Sequence, residues 1–511
     1  MTRIFHQAVF LRLSLFFITG IIVQTYWDLY PAWIYIGIFS LLVIVVSFFP
    51  SVVRSYHWRW LFGFGLFLLC FSSAGILSRN LWKTSEWKGD TEENEYRVQI
   101  LDEPVKKPKT LMFPVSVKGQ KALIYIPVDS LSMQLLPSDW LTISAKFEKV
   151  EQMFLRKEGV SARAFIYNNK WEKWDNPPKQ RFALHFEALK YRRILLNHLR
   201  EIISDEKSFA VGAALLFGHT QNLDKDLRQT FAATGTSHIL SVSGLHFSII
   251  YGIFYFLLSF LGNSKNGRIA KQAIILPIMW IFAFLTGMRP PVIRAAVMIS
   301  MWGFGNAFLF KSFTINTVGA AAFFMLLYNP FNIFDVGFQL TFSAVLAILL
   351  INPYLVKLYK SRNPMIQYGW ELSCVSTSAQ LGTAPLSMYY FHQFPLLFLV
   401  TNLFAIPLTA VILGLLPVSL LLQFLPGTHS WLTWPLNKSL NWFILGLEKI
   451  EAIPNSLIDG IFLSKMDVIF ITCYMILLFL LLIKKRIYYF YLLFICVFIQ
   501  VIYYLCNFWN Y

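Results

Sequence analysis

Charged residues are scarce in this sequence, and the scarcity comes from long apolar runs. Only 14% of the 511 residues are charged, whereas an ordinary soluble domain carries about 25%. Hydrophobic residues make up 56% and aromatic residues 17%. A membrane span needs about 20 apolar residues, and the runs in this chain predict about ten or eleven crossings. The composition excludes an ordinary soluble domain and predicts a polytopic α-helical membrane protein.

The small number of cysteines excludes a disulfide framework. The sequence has five, all in apolar stretches: Cys70, Cys374, Cys473, Cys496 and Cys506. None falls in the polar segment 80–207 and no pair has CxxC spacing, so we expect small buried side chains instead of a metal site. A nucleotide-binding P-loop is also missing from the sequence, so we predict no cofactor and expect any driving force to come from elsewhere.

Positive charges indicate how the chain is threaded through the membrane. The net charge is +17, and Lys and Arg in short connections favour the cytoplasmic side. The clusters are Arg54 and Arg59; Lys265, Arg268 and Lys271; Lys357, Lys360 and Arg362; and Lys484, Lys485 and Arg486. We therefore expect a cytoplasmic N-terminus and an extracytoplasmic segment 80–207, with the orientation of the last spans open. The first apolar run is too long for a cleaved signal peptide.

The distribution of polar and apolar residues predicts four regions. They are a membrane anchor of three spans (1–79), a small extracytoplasmic β domain (80–178), an amphipathic interfacial helix (179–207) and a helical membrane domain (208–511). Apolar–polar alternation predicts five strands, at 96–101, 112–118, 121–128, 140–147 and 161–168. Lys118-Gly119 is a plausible hairpin turn. Short strands of this number fit an all-β barrel resembling the oligonucleotide-binding (OB) fold.

The predicted amphipathic helix mixes apolar and basic side chains. Its apolar residues are Phe182, Phe186, Leu189, Ile194 and Leu196, among Arg181, Lys190, Arg192, Arg193 and Arg200. A basic amphipathic helix lies in the plane of the membrane interface, where lipid headgroups account for its charge. A surface that attracts a polyanion is the alternative.

Basic and aromatic side chains also alternate in the second half of the β domain. Cations beside flat rings are what single-strand binding requires. The candidate nucleic-acid contacts are Lys146, Arg156, Lys157, Arg163, Tyr167, Lys170 and Trp171. The same rings would serve equally well as barrel core or at the bilayer interface, so these interpretations stay open.

Polar residues recur inside the apolar helices of the membrane domain, where burying them unpaired costs several kcal/mol. Glycines and hydroxyls at the start of an apolar run indicate an interrupted helix of the kind that lines a cavity in transporters. Tight packing through small residues is the alternative. The functional candidates are Gly235, His238, Ser241, Ser243, Gly244, His246, Arg289, Arg294, Asp335, Gln339, Ser343, Gln380, Thr383 and Asn402.

Arg294 and Asp335 are predicted to form an ion pair. Arg294 lies one turn inside a helix that starts at Pro290-Pro291, and arginine cannot lose its charge. Asp335 is the one carboxylate between Asp226 and Glu371. A pair between them would neutralise both charges inside the membrane domain.

Four groups of residues occur in an order that is typical of a known family. They are Leu216-Phe217-Gly218 with the run 231–246; Arg289-Pro290-Pro291 with Arg294-Ala295; the run 337–344; and Gln380, Thr383 and Pro385 before Asn402 and Pro407. Over about 210–480 this order resembles the ComEC family of competence proteins, the DNA-uptake channels of bacterial natural transformation. The outer β domain is similar to that family's N-terminal region, which carries an OB-type fold.

The resemblance implies an inner-membrane channel for uptake of single-stranded DNA into the cytoplasm. The partners it implies are single-stranded DNA, membrane lipids, a DNA receptor, cytoplasmic DNA-handling proteins and a separate nuclease. Many family members continue into a metallo-β-lactamase-like domain, whereas this sequence ends at Tyr511 without an HxHxDH-type cluster. We therefore expect a transporter without catalytic residues or a metal.

Two other functions fit parts of the pattern. A membrane-embedded hydrolase would use His219, His238 and His246 with Asp335, or a serine–histidine pair. On one continuous helix His238 and His246 would lie about 12 Å apart, too far to share a metal, and a break at Gly244 would remove that objection. A small-solute secondary transporter is equally compatible with interrupted helices.

Overall fold

The computed structural model describes residues 8–49, 58, 60–89, 92–150, 156, 159–167, 170–174, 183–307, 315–422 and 429–508. The chain is mostly helical, at 70%, with a small β region near residues 94–173. It divides into two units. The first contains residues 1–223, 239–338 and 410–440, and the second contains residues 224–238, 339–409 and 441–511.

Three apolar helices begin the first unit: α1 (Val9–Tyr26), α2 (Ala32–Ser47) and α3 (Trp60–Thr84). Both α1 and α2 pack along α3. Small residues permit the close approach, because a Cβ atom on Gly20 would lie 2.3 Å from the carbonyl oxygen of Phe71. The later helix Ile315–Tyr328 packs on α1, where the Ser14 hydroxyl donates to the Gly319 carbonyl at 2.8 Å.

The β region follows α3 and has eight strands. They are β1 (Asn94–Ile100), β2 (Val105–Lys106), β3 (Thr110–Val117), β4 (Gln120–Pro127), β5 (Trp140–Ala145), β6 (Glu148–Lys149), β7 (Val160–Phe165) and β8 (Trp171–Lys173). The strand order is β6-β7-β4-β3-β1-β5-β8, with β2 paired to β3. Only β4 and β7 are parallel to each other among these pairs.

The five strands expected from the sequence correspond to β1, β3, β4, β5 and β7, with ends displaced by at most three residues. The hairpin turn between β3 and β4 is also confirmed, since Lys118 and Gly119 have φ values of 48° and 83°. Alternate residues of β3 are buried, from Leu111 to Val117. The strands that sequence reasoning missed are two or three residues long, too short to show alternation.

The remaining elements are helical apart from one short strand pair. Helices α4 to α10 are Ala183–Ile202, Glu206–Phe217, Lys225–Ala233, Ser237–Leu240, Gly244–Leu257, Lys265–Leu285 and Pro290–Ala307. Helices α11 to α17 are Ile315–Tyr328, Val336–Val356, Pro364–Phe391, Phe398–Leu422, His429–Glu451, Lys465–Lys484 and Ile487–Phe508. Strands β9 (Phe394–Pro395) and β10 (Leu457–Ile458) pair in the second unit.

Helix α4, the predicted amphipathic helix, has apolar side chains on two sides. Phe186, Leu189 and Leu196 are buried within the protein, so the face expected to rest on lipid packs against other residues of its unit. Leu184 and Tyr191 are exposed on the opposite side. Arg192 lies on the buried side, whereas Lys190, Arg193 and Arg200 are exposed, and the position of α4 in a membrane interface stays a prediction.

Two details correct the sequence analysis. Lys271, expected in a cytoplasmic loop, lies in the second turn of α9 and is only 2% exposed. Its ammonium group donates to Asn263 Oδ1 at 3.2 Å and lies 4.7 Å from the centre of the Tyr255 ring. Of the cysteines, Cys70 and Cys374 are buried as expected, whereas Cys506 is exposed.

Seven helices among the described residues are long and apolar enough to cross a membrane. They are α1, α3, α9, α12, α14, α16 and α17, the last over Ile487–Cys506. Three shorter apolar helices, α2, α8 and α11, have 10–17 residues. The expectation of a multi-pass protein is therefore supported, and seven of the expected crossings have a helix of sufficient length.

Candidate functional site

The predicted ion pair between Arg294 and Asp335 is confirmed. Arg294 Nη1 on α10 donates to Asp335 Oδ1 at 3.1 Å, and the two side chains are 6% and 21% exposed. Asp335 precedes α12, and its Oδ1 atom also accepts from the backbone N–H of Phe338 at 2.7 Å. One carboxylate therefore neutralises the arginine and satisfies a free N–H group at the start of α12.

Gly337 leaves the space in which this pair sits. A Cβ atom at residue 337 would lie 2.6 Å from Arg294 Nη2 and 3.1 Å from Asp335 Oδ1. Any larger side chain at residue 337 would require the guanidinium group to shift. The glycine in the sequence run 337–344 is thus explained by close approach of Arg294 and not by backbone strain.

A second ionic cluster was not anticipated from the sequence. Arg192 of α4 is completely buried, and its Nη2 atom lies 2.9 Å from Glu103 Oε2 in the connection between β1 and β2. His219 Nδ1 lies 3.3 Å from the same oxygen. Burial opposes ionisation of Glu103, but the hydrogen bond with His219 and the charge of Arg192 outweigh it and lower the pKa of this carboxyl from 4.5 to about 2.

Two glycines lie where this cluster meets the segments around residues 216–218 and 289–291. Gly218 ends α5 with a left-handed φ of 66°, and its carbonyl accepts from Arg289 Nη1. A Cβ atom on Gly287 would lie 2.7 Å from Arg192 Nη1. The contacts therefore run in a ring from Glu103 to Arg192, past Gly287 and Arg289, and back through residues 218 and 219. We call these residues the arginine ring.

Further contacts hold the β1–β2 connection in the same place. Gln221 Nε2 donates to the Pro104 carbonyl at 2.9 Å, and His185 Nε2 lies 3.2 Å from the Leu101 carbonyl. All these residues belong to the first unit. The β region is thus fastened to α4 and to the loop after α5 by hydrogen bonds as well as by charge.

The helix interruption predicted near Gly244 is present. Helix α7 ends at Leu240 and α8 begins at Gly244. Ser243 caps α8 with the help of His246, whose Nδ1 atom lies 3.0 Å from the Ser243 hydroxyl and 3.3 Å from its backbone nitrogen. Ser241 and Gly244 are exposed at the break, while His246 is buried.

The candidates in the second unit lie on four of its segments. Gly235 has a left-handed φ of 76°, and a Cβ atom there would lie 2.8 Å from Pro395. Gln339 accepts from the Tyr390 hydroxyl at 2.9 Å, which links α12 to α13. Asn402 is 8% exposed, and its Oδ1 atom has no hydrogen-bond partner among the described residues.

Other second-unit candidates take part in helix packing. A Cβ atom on Gly382 would lie 2.7 Å from the Ser343 carbonyl, so α12 and α13 cross closely there. Thr383 donates to the Ala379 carbonyl at 3.0 Å, which is a bond within its own helix. Gln380 is partly exposed, and His238 Nδ1 lies 3.1 Å from the Gly235 carbonyl.

A family model for competence proteins matches residues 215–487, which is more than half of the chain. The chain belongs to the competence protein (ComEC/Rec2) family. ComE operon protein 3 of Bacillus subtilis (strain 168) is 26% identical over 253 residues, 48% of this chain and 31% of that protein. Recombination protein 2 of Haemophilus influenzae is 26% identical over 243 residues, 46% of this chain and 30% of that protein.

An uncharacterized protein of Aquifex aeolicus (strain VF5) is 28% identical over 317 residues, 61% of this chain and 67% of its own length. The alignments with the two named competence relatives span about a third of each of those proteins. No solved structure matches the chain. The matched segment contains Arg289, Arg294 and Asp335, whereas Glu103 and Arg192 lie outside it.

The β-region candidates of this competence protein have mixed environments. Lys146 is exposed, and Tyr167 is 66% exposed. Arg163 and Lys170 are each paired with a glutamate, Glu148 at 3.1 Å and Glu93 at 2.5 Å. Trp171 packs against the core of the β region, Arg156 lies 4.3 Å from the Trp82 ring, and Lys157 falls outside the described residues.

The histidines give little support to a metal-dependent hydrolase. Among the described residues, no group of three or more His, Cys, Asp or Glu side chains is arranged to hold a metal ion. His219 contacts Glu103, and His246 caps α8. Both side chains thus have structural contacts of their own.

Proposed function

We propose that this chain forms the membrane channel through which single-stranded DNA enters the cytoplasm during natural transformation. Membership of the competence protein family supports a role in DNA uptake or recombination. The names of the relatives agree with this role, since one is a ComE operon protein and another is a recombination protein. Single-stranded DNA, lipids, a DNA receptor, cytoplasmic DNA-handling proteins and a separate nuclease are its proposed partners.

The observation that carries this proposal is the exposed break between α7 and α8. Ser241 and Gly244 are accessible there, although the helix that follows is strongly apolar. Exposed hydroxyls and backbone at an interrupted helix suit a hydrated path better than a lipid-facing surface. Residues 208–464 also hold thirteen Lys and Arg against seven Asp and Glu, and an excess of cations suits passage of a strand with one negative charge per nucleotide.

We propose the cytoplasmic membrane as its location, with a cytoplasmic N-terminus and residues 80–207 outside. The positive clusters described above support this orientation. The β region then meets incoming DNA before the membrane helices do.

The strand pairing of the β region supports an OB-type barrel. Strand β7 runs parallel to β4, and β6 follows directly after β5 and pairs with β7. Because β5 also pairs with β1, one nearly continuous strand contacts both ends of the β1-β3-β4-β7 series. A small barrel closed in this order is the oligonucleotide-binding type, in which the faces of the second and third strands bind the ligand.

The ligand face of such a barrel would carry aromatic and basic side chains beyond the predicted nucleic-acid contacts. Tyr125 of β4 and Phe165 of β7 have stacked rings with centroids 4.6 Å apart, and Phe165 is 41% exposed. Lys106, Lys107 and Lys109 are exposed in the connection between the first two long strands. Flat rings beside free cations are suited to stacking bases and contacting phosphates.

A deletion strain tests the proposal directly. We expect loss of this chain to abolish transformation by added DNA, and plasmid-borne expression to restore it. The control is introduction of the same DNA by electroporation, which bypasses uptake and should be unaffected. Normal transformation without the chain, in a strain that has no second family member, would contradict the channel function.

A further inference from the structure

A groove of about 800 Å³ lies between the β region and α4. One wall is the connection between β4 and β5, residues 133–139, and the other is formed by α4. The loop after α5, including His219 and Gln221, closes one end. All of these residues belong to the first unit. A volume of this size is within the range of ligand sites, roughly 300–1,000 Å³.

The α4 wall of the groove presents a line of cations. Lys190, Arg193, Asn197 and Arg200 are exposed and all line the groove. Their spacing of three, four and three residues places them on one helix face. With a rise of 1.5 Å per residue, the three cations span about 15 Å along α4, which is the length of a few nucleotides of backbone.

The carboxylates beside this line are partly neutralised. Glu103 is engaged by Arg192 and His219, and Asp139 is paired with Lys173 at 2.8 Å. Glu187 and Glu206 remain on the groove lining. Lys190 and Arg193 have no ion-pair partner among the described residues, so their charges are available to an anion in the groove.

The opposite wall and the floor contribute apolar side chains beside Ser138 and Asp139. Leu135, Leu136 and Pro137 come from the β region, and Phe186 and Leu196 come from α4. Cations facing these apolar side chains suit a single strand, because the phosphates and the bases lie on different sides of its backbone. An extended fully anionic ligand would not use the apolar wall.

We infer that this groove binds the backbone of single-stranded nucleic acid and leads it from the β region to the loop at residues 218–222. The inference rests on the proposed function. Lys190 and Arg193 contact phosphates, and the arginine ring fixes the distance between the two walls by holding Glu103 against α4. The groove ends beside Gly218, where the family-matched segment begins.

The test uses the purified full-length protein and a fluorescent single-stranded oligonucleotide. The variant Lys190→Gln/Arg193→Gln removes two charges from the groove. The control Lys88→Gln/Lys118→Gln removes two charges from exposed positions that do not line it. Loss of two phosphate contacts should make the slope of log K against log salt less negative by about 1.4, whereas the control should keep the wild-type slope.

A second measurement locates the strand. A photoreactive amino acid at Asn197 should cross-link to the oligonucleotide, and the same group at Lys88 should not. An unchanged salt slope together with no cross-link from residue 197 would overturn the inference. Loss of co-purified anionic phospholipid from the groove variant, with DNA binding unchanged, would also overturn it and would identify a lipid site.

Transformation assays separate this inference from the channel proposal. We expect the groove variant to transform at least tenfold less often than the control variant at equal protein level. If the groove variant transforms at the wild-type frequency, the inference about the groove is wrong and the channel proposal is unaffected. If the deletion strain transforms at the wild-type frequency, the channel proposal is wrong, and so is the inference about the groove.

Discussion

The two ionic clusters of the first unit stabilise buried arginines by different sets of contacts. In the first cluster, Arg294 has one carboxylate, Asp335, at 3.1 Å. In the arginine ring, Glu103 serves both Arg192 and His219, while Arg289 is held by the Gly218 carbonyl. Each partner in the ring is slightly less exposed than its counterpart in the simpler pair: Arg192 is 0% and Arg294 6% exposed, and Glu103 is 15% and Asp335 21% exposed. We therefore expect the loss of one residue from the ring to reduce the free energy of unfolding more than the loss of one residue from the pair.

The difference matters because the two clusters join different parts of the protein. The Arg294–Asp335 pair ties α10 to the start of α12, both within the family-matched segment. The ring ties the β region to α4 and to the first residues of that segment. Damage to the pair should therefore affect the membrane helices, and damage to the ring should loosen the β region from them.

The largest loss of stability is expected from Arg192→Met. This change removes a fully buried cation and leaves the Glu103 carboxylate with His219 alone. Breaking a buried pair on one side costs about 3–5 kcal/mol. The free energy of unfolding in detergent, followed by tryptophan fluorescence, measures the effect. The double variant Arg192→Met/Glu103→Leu should recover part of the loss; strictly additive losses would contradict the coupling.

A smaller loss is expected from Arg294→Ala. Asp335 is left without its cation but keeps the hydrogen bond from the Phe338 backbone and some access to solvent. A hydrogen bond to a charged group contributes about 1.5–3 kcal/mol, and we expect a loss in that range. Asp335→Asn should repair part of it. The ranking of the two clusters is wrong if Arg294→Ala proves more damaging than Arg192→Met.

Sequence reasoning found one cluster and missed the other for a physical reason. Asp335 is the one carboxylate in a long apolar stretch, so Arg294 had few possible partners. Glu103, Arg192 and His219 lie in polar segments with many charges, where pairing depends on how the β region docks. The interrupted helix and five strands followed from local patterns, but the groove depends on contacts between distant segments.

The pH dependence of stability should distinguish the ring from the pair. Glu103 has a pKa of about 2 in the folded protein, below its ordinary 4.5. A lowered pKa contributes stability that is present above pH 4.5 and is lost as pH falls through about 2. The shift corresponds to roughly 2–3 kcal/mol after allowance for partial exposure.

The comparison is between the wild type and Glu103→Gln, by unfolding in detergent at several pH values. The difference in free energy of unfolding should be constant above pH 4.5 and should shrink towards zero as the pH approaches 2. Asp335→Asn serves as the reference for the other cluster. A difference that does not change between pH 5 and pH 2 would contradict the ionised state of Glu103.

The smallest expected effect concerns the space beside Arg294. Gly337→Ala would place a Cβ atom 2.6 Å from Arg294 Nη2, whereas a Cβ atom on Gly252 would meet nothing within 4 Å. Both glycines are helical, so alanine alone favours each by about 0.5–1 kcal/mol. Displacing the guanidinium should reverse the sign at residue 337 and cost about 1–2 kcal/mol net.

Gly252→Ala is thus the matched control and should raise the free energy of unfolding. If both alanines stabilise the protein equally, the guanidinium can move without loss and the Arg294–Asp335 geometry does not depend on Gly337. If only Gly337→Ala destabilises it, the effect should vanish in the Arg294→Ala background, because the atom that the new methyl group displaces is then absent. That double-mutant result would show that the glycine and the ion pair act as one unit.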